Sequence, residues 1–319
     1  DNHSRLVGSE MCIRDRLMTL ELIGILAALG SAATWAIGAL LLKPFAERLP
    51  AMALAFAKGV FGLGVLGLLI LMVGPTSLSW TTATVLFLSG VLGIGVADTL
   101  FFKALRELSS HTVVQLMLLG QVATIAMAVV FLGESLFGLQ WLGVALVILG
   151  VAIVLMVPED VAGEGADTRA TRRGVLFGLG SVLAMAVSVT MAKGALDTSD
   201  ALTATWLRIA GGVVSLFVFA PLFYIGRGNW LSPILADRRL AIRFCLIATF
   251  VTLGGFFLSL LAMKLTPLAI ANTLLSTEPL FVLLIMALFH RERPSARRLT
   301  GSLVGVAGVA IISAGTLLN

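Results

Sequence analysis

Four ionisable residues stand inside long apolar runs of this sequence, and a proline adjoins one of them. Glu278 precedes Pro279 in LLSTEPLFVLL, and Asp98 lies in GVADTLFF. Lys58 lies in AMALAFAKGVFG and Arg208 in ALTATWLRIAGG. In hydrocarbon such a group costs roughly 2.5–3.5 kcal/mol on insertion scales, so each needs a task or a partner. Proline removes a backbone donor, and a broken helix is tolerated at membrane depth where it lines a cavity. Glu278 therefore reads as a pathway residue that holds a proton or a cationic group, or as a brace for a kink. Asp98 reads as a partner of Lys58 or Arg208, or as part of the same pathway. Lys58 and Arg208 read as further pathway candidates, or as residues whose long side chains are expected to snorkel to the interface. Trp35, Gln115, Gln121, Thr190, Asn272, Ser276 and Thr277 complete the candidates. For Gln121 and Asn272 the alternative is a hydrogen bond between helices, and for Trp35 it is packing.

Other chemistries lack their residues. His3, His111 and His290 are scattered, and Cys12 and Cys245 form no CxxC, so neither a metal site nor a disulfide framework is expected. HExxH, GxSxG and a phosphate loop are missing from the sequence. Gly62–Gly67 spells GxGxxG within an apolar run, the wrong context for a dinucleotide turn. No catalytic residue and no cofactor are expected.

The elements that must position these residues are membrane spans. Hydrophobic residues make up 59% of the 319 residues and charged residues 12%, with a mean hydropathy of +1.05, too apolar for a soluble surface. A span needs about 20 apolar residues. Ten such runs occur, at 20–42, 52–73, 82–104, 112–132, 137–157, 174–195, 201–224, 240–263, 268–289 and 299–317. They are continuous, unlike the short alternating strands of a membrane barrel. The formal charge of +5 sits in short loops beside the runs, which points to lipid headgroups and orientation and not to nucleic acid. Residues 1–17 are polar, and VGSEMCIRDR resembles translated adapter sequence, so this segment reads as a non-native tail ahead of Met18. The polar stretch 158–173 reads as a linker between 18–157 and 174–319, each with five runs.

The two segments repeat. With an offset of 150, Gly24, Gly30, Ser31, Lys43 and Gly62 fall on Gly174, Gly180, Ser181, Lys193 and Gly212, and Lys58 on Arg208. Past the third run the offset is 158, and Ala104, Arg106, Glu134, Gly143 and Gly150 fall on Ala262, Lys264, Glu292, Gly301 and Gly308. Five crossings are odd, so the second repeat enters the bilayer inverted, an arrangement of transporters with a midplane site. The fold expected is an all-α membrane protein of ten transmembrane helices in two inverted five-helix repeats. Lys and Arg crowd one side of this topology, among them Lys43, Lys103, Arg172, Arg239 and Arg297, against Lys193 and Lys264 on the other. The crowded side is expected to be cytoplasmic, with both termini outside.

The stretches ALRELSS…VVFLGESLFGLQWLGVALVILGVAIVLM and AMKLTPLAIANTLLSTEPLFVLLIMALFHRERPSARRLTGSLVGVAGVAII resemble the EamA-type repeat of the drug/metabolite transporter superfamily. The resemblance implies a ten-helix carrier of a bacterial-type inner membrane, an exporter of metabolites, amino acids or drugs, and the mid-span carboxylate Glu278 beside Pro279 adds protons to the expected partners. Gly120-Gln121 stands in the first repeat where Glu278-Pro279 stands in the second, a departure from the symmetric pattern. A small-molecule substrate and membrane lipid are the expected partners, and the oligomeric state is left open. An intramembrane lipid-modifying enzyme and a non-transporting scaffold remain the alternatives.

Overall fold

The computed structural model describes residues 2–74, 76–120, 122–123, 127, 138–155, 168–196, 198–224, 237–266, 271, 274–289 and 295–317. Every regular element among them is a helix. In chain order these are α1 (Asn2–Arg48), α2 (Ala51–Val73), α3 (Trp80–Gly90), a π-helical turn (Val91–Ala97), α4 (Asp98–Glu107), α5 (Ser110–Met117) and α6 (Gly138–Leu155). The second half holds α7 (Thr168–Leu196), α8 (Ala201–Tyr224), α9 (Arg238–Phe250), a second π-helical turn (Val251–Phe257), α10 (Leu258–Leu265), α11 (Glu278–Phe289) and α12 (Ala296–Leu317).

Six helical stretches among the described residues are long and apolar enough to cross a membrane: Leu22–Arg48, Ala51–Val73, Trp80–Glu107, Thr171–Leu196, Ala201–Phe219 and Arg238–Leu265. These match the first, second, third, sixth, seventh and eighth expected runs. The fifth and ninth appear as the shorter apolar helices Trp141–Ile153 and Glu278–Leu288. α1 runs without a break through the segment expected to be a tail, and α7 starts at Thr168, inside the expected linker. Gly74 ends α2 with φ 95°, a conformation that glycine adopts without Cβ strain.

The two halves hold each other by reciprocal contacts. Ser31 Oγ donates to Gly255 O at 2.9 Å, and Ser181 Oγ donates to Ala97 O at 2.8 Å. These are one contact repeated with the halves exchanged, in the offsets of 150 and 158. A methyl group on Gly30 would lie 3.3 Å from Leu258, and one on Gly180 would lie 3.2 Å from Leu100. Gly24 abuts Leu265 and Thr266, while Gly174 abuts Glu107 and Leu108. α1 thus packs along the rod of the second half that contains α10, and α7 along the rod that contains α4.

Lipid does not drive helices together as water does, so small residues that let backbones approach carry the association. α1 presents Ala28, Ala32, Ala36 and Ala39 as a buried stripe. Between α6 and α12 the glycines meet backbone to backbone. A Cβ on Gly150 would lie 2.6 Å from Gly301 O, and one on Gly308 would lie 2.7 Å from Gly143 O. Leucines and phenylalanines such as Leu71, Leu246 and Phe217 face outward, as a lipid-facing surface requires.

Candidate functional site

A cavity of about 230 Å³ lies between the halves. Its walls follow the repeat. Trp35 and Met185 line it from α1 and α7, Asp98 and Phe256 from the two π-containing rods, and Phe101 and Ser259 one turn further along. Leu118 and Ser276, then Gly120 and Glu278, close it. Each pair is related by the sequence offsets, so the cavity is built twice from equivalent backbone positions.

Asp98 owes its place to the first π turn. Its N–H reaches back to Gly93 O across the wider π loop, the kind of bulge that proteins keep at functional sites. Gly90, Gly93 and Gly95 lie on that turn or just before it and let α8 and α7 approach. A Cβ at Gly90 would collide with the Arg208 carbonyl, and one at Gly93 would collide with Ser188 Oγ. Asp98 pairs with Lys58 of α2. The Lys58 ammonium also lies 4.6 Å from the Phe256 ring centroid, 5.3 Å from Phe102 and 5.8 Å from Trp35. Ring faces attract a desolvated cation. The expectation that Lys58 and Arg208 snorkel is overturned: they are 2% and 6% exposed. Lys58 is held inside by Asp98 and the ring faces, and Arg208 by its hydrogen bond to Ser188.

Arg208 lines the cavity from α8. Its Nη2 donates to Ser188 Oγ at 2.9 Å, and its buried Nε has no hydrogen-bond partner among the described residues. Ser188 Oγ in turn donates to Ser89 O at 2.6 Å, which fixes the acceptor. Among the described residues no carboxylate lies within ion-pair distance of Arg208.

Glu278 begins α11 after a turn at Ser276–Thr277, with Thr277 O accepting from Leu280 N at 2.9 Å. Pro279 is in the first turn, where its missing N–H has no intrahelical partner to lose. Of the two readings of the sequence, a broken helix and a braced kink, the break is the one seen, at Ser276–Thr277. Glu278 is half-buried and lines the cavity beside Ser276. An acid in the first turn also faces the positive end of the helix.

The cavity brings together Trp35, Asp98, Arg208, Ser276 and Glu278 of the expected residues, with Lys58 one contact behind through Asp98. Trp35 packs edge-on against Phe256, with centroids 4.8 Å apart, while lining the cavity. Gln115 lies elsewhere: it accepts from Ser302 Oγ at 3.1 Å and ties α5 to α12. Thr190 returns its hydroxyl to Ala186 O and Thr277 to Leu274 O, and neither lines the cavity, nor does Pro279. Gln121 and Asn272 lie outside the described residues, as do Glu134 and Glu292. Sequence reasoning passed over Ser188, Phe256 and Met185. Ser181, Met185 and Ser188 recur at the spacing of one helix face, a signal that was readable but looks like ordinary packing.

The EamA-like transporter family matches residues 22–156 and 172–314, one match for each half. A solved structure, described only as the crystal structure of a protein, aligns with 94% of this chain and 97% of its own at TM-score 0.63 and 15% identity. That likeness concerns the fold. No curated protein matches the chain. Six apolar spans, two matched segments and a cavity walled by both agree: the chain belongs to the EamA-like transporter family and is an integral, multi-pass membrane transporter.

Proposed function

We propose that this protein carries a small solute by alternating access, with Glu278 coupling a proton to solute movement. The observation that carries the reading is the cavity whose opposite walls are register-equivalent residues of the two halves. A wall built twice gives two near-equal ways of packing, which rocking between inward and outward states requires. Ten spans, five in 18–157 and five inverted in 174–319 about a polar linker at 158–173, are the topology that fits the reciprocal contacts of α1 and α7. The volume of about 230 Å³ lies below the roughly 300–1,000 Å³ of drug-sized pockets, so the solute is small, in keeping with a metabolite or amino acid. A bacterial-type inner membrane, export, and termini on the non-cytoplasmic side belong to the same reading.

Proteoliposomes loaded with a pH-sensitive dye test the coupling. When a panel of amino acids, monocarboxylates and nucleosides is applied, at least one is expected to drive proton movement through the wild-type protein. Glu278→Gln is expected to abolish that movement while the solute still exchanges. Proton movement that persists unchanged in Glu278→Gln would overturn the coupling and leave facilitated exchange.

A further inference from the structure

The repeat points to a carboxylate contact that Arg208 lacks among the described residues. Lys58 and Arg208 are equivalent, and so are Asp98 and Phe256. The contacts fix that register: Gly38 meets Val251 as Ser188 meets Gly93, and Ser31 bonds Gly255 as Ser181 bonds Ala97. In the first half the cation of α2 meets a carboxylate on the neighbouring rod. In the second half the corresponding position is an aromatic ring. Among the described residues Arg208 keeps one hydrogen bond, to neutral Ser188, an unpartnered Nε, and a place in the cavity wall.

A guanidinium is weakly hydrated and presents a planar fork of donors that matches a carboxylate. Asp98 attracts Arg208 from beyond contact distance but is itself in contact with Lys58, so two buried cations share one contacting carboxylate, and the site gains from a ligand that brings a second one. The rest of the lining includes Phe101, Met117, Met185 and Met263, which suit an apolar body. We propose that the transported solute bears a carboxylate that docks on Arg208 in the place that Asp98 takes on Lys58, with a compact apolar body among these methionines and Phe101. This rests on the carrier reading of the same cavity.

The test is ligand-induced stabilisation of purified protein, a binding measurement that needs neither flux nor a proton gradient. The probes share one branched body: 4-methylpentanoate, 4-methylpentanamide and 4-methylpentylamine. The carboxylate is expected to raise the unfolding midpoint in a saturable way, and the amide and amine to leave it unchanged. Leucine carries the same carboxylate beside an ammonium, and stabilisation by it also supports the proposal. Arg208→Lys, which keeps the charge and loses the fork, is expected to weaken the carboxylate by about tenfold or more. Phe256→Asp supplies the missing carboxylate from the protein and is expected to abolish binding with Arg208 still present. Should Phe256→Asp not fold, Arg208→Lys decides. Stabilisation by the amine or amide with none from the carboxylates overturns the proposal, and so does carboxylate binding undiminished in Arg208→Lys. If one of those neutral or cationic solutes is then carried in proteoliposomes, the carrier reading stands and the carboxylate assignment alone falls.

Discussion

Around the cavity the first half sets Asp98 where the second sets Phe256, and the second sets Glu278 where the first sets Gly120. The backbone is shared and the chemistry is not. Of the equivalent buried cations, Lys58 is in contact with Asp98, while Arg208 feels Asp98 only from beyond contact distance and touches no carboxylate among the described residues. Pairing a cation internally makes it part of the scaffold. Leaving its equivalent unpaired makes it available to a solute. A symmetric frame can therefore rock between two states while an asymmetric lining recognises one solute.

The two cations are expected to respond differently to removal. Lys58→Met strands Asp98 in the interior, and breaking a buried pair from one side costs about 3–5 kcal/mol. Arg208→Met removes a charge that touches no carboxylate among the described residues, so the lost hydrogen bond to Ser188 and the lost longer-range attraction to Asp98 are offset by relief of desolvation, and the net change stays at about 1 kcal/mol. Chemical unfolding in one detergent, with both variants side by side, reads the contrast. Equal losses in the two variants would mean that Arg208 is as structural as Lys58.

A smaller contrast lies at a loop. Pro50 starts α2 with no side-chain cap, whereas Asp200 in the equivalent place accepts from Thr203 N at 2.8 Å at the start of α8. Burial pushes the Asp200 carboxyl up, but hydrogen bonds from Thr203, Thr76 and the Leu202 backbone outweigh it and hold the group below its ordinary value. A depressed carboxyl contributes stability above its unfolded pKa, near 3.9, and loses it as pH falls through the folded value. Asp200→Ala is expected to cost about 1 kcal/mol near neutral pH, with the ionic part reduced by solvent at this half-buried position. The difference from wild type should narrow as the pH is taken below 4. A gap unchanged across that range would mean that the cap acts without its charge.

Much of this frame was legible in the sequence. The offsets of 150 and 158 found the repeat, and the ionisable residues within apolar runs found Asp98, Arg208 and Glu278, because charge in hydrocarbon is rare enough to notice. Phe256 was not legible, since a phenylalanine in an apolar run carries no signal until its equivalent is seen to be Asp98. Lys58 was misjudged for a related reason. Depth along a span is readable, but the aromatic faces and the carboxylate that keep its ammonium inside come from three other helices. Gln115 looked like a pathway residue and proved to be a tie between α5 and α12. Helix phase decides between those roles, and a lipid-exposed helix has too little polarity contrast to set its phase.

The most direct test of a cavity reached alternately from both sides is labelling at Ser276, which lines it. Ser276→Cys would be introduced into a chain in which Cys12 and Cys245 are replaced by serine, and membrane-impermeant thiol reagents applied to right-side-out and inside-out vesicles. Alternating access predicts that the thiol reacts from each face. Reaction from neither face, or from one face only under every condition, would contradict it.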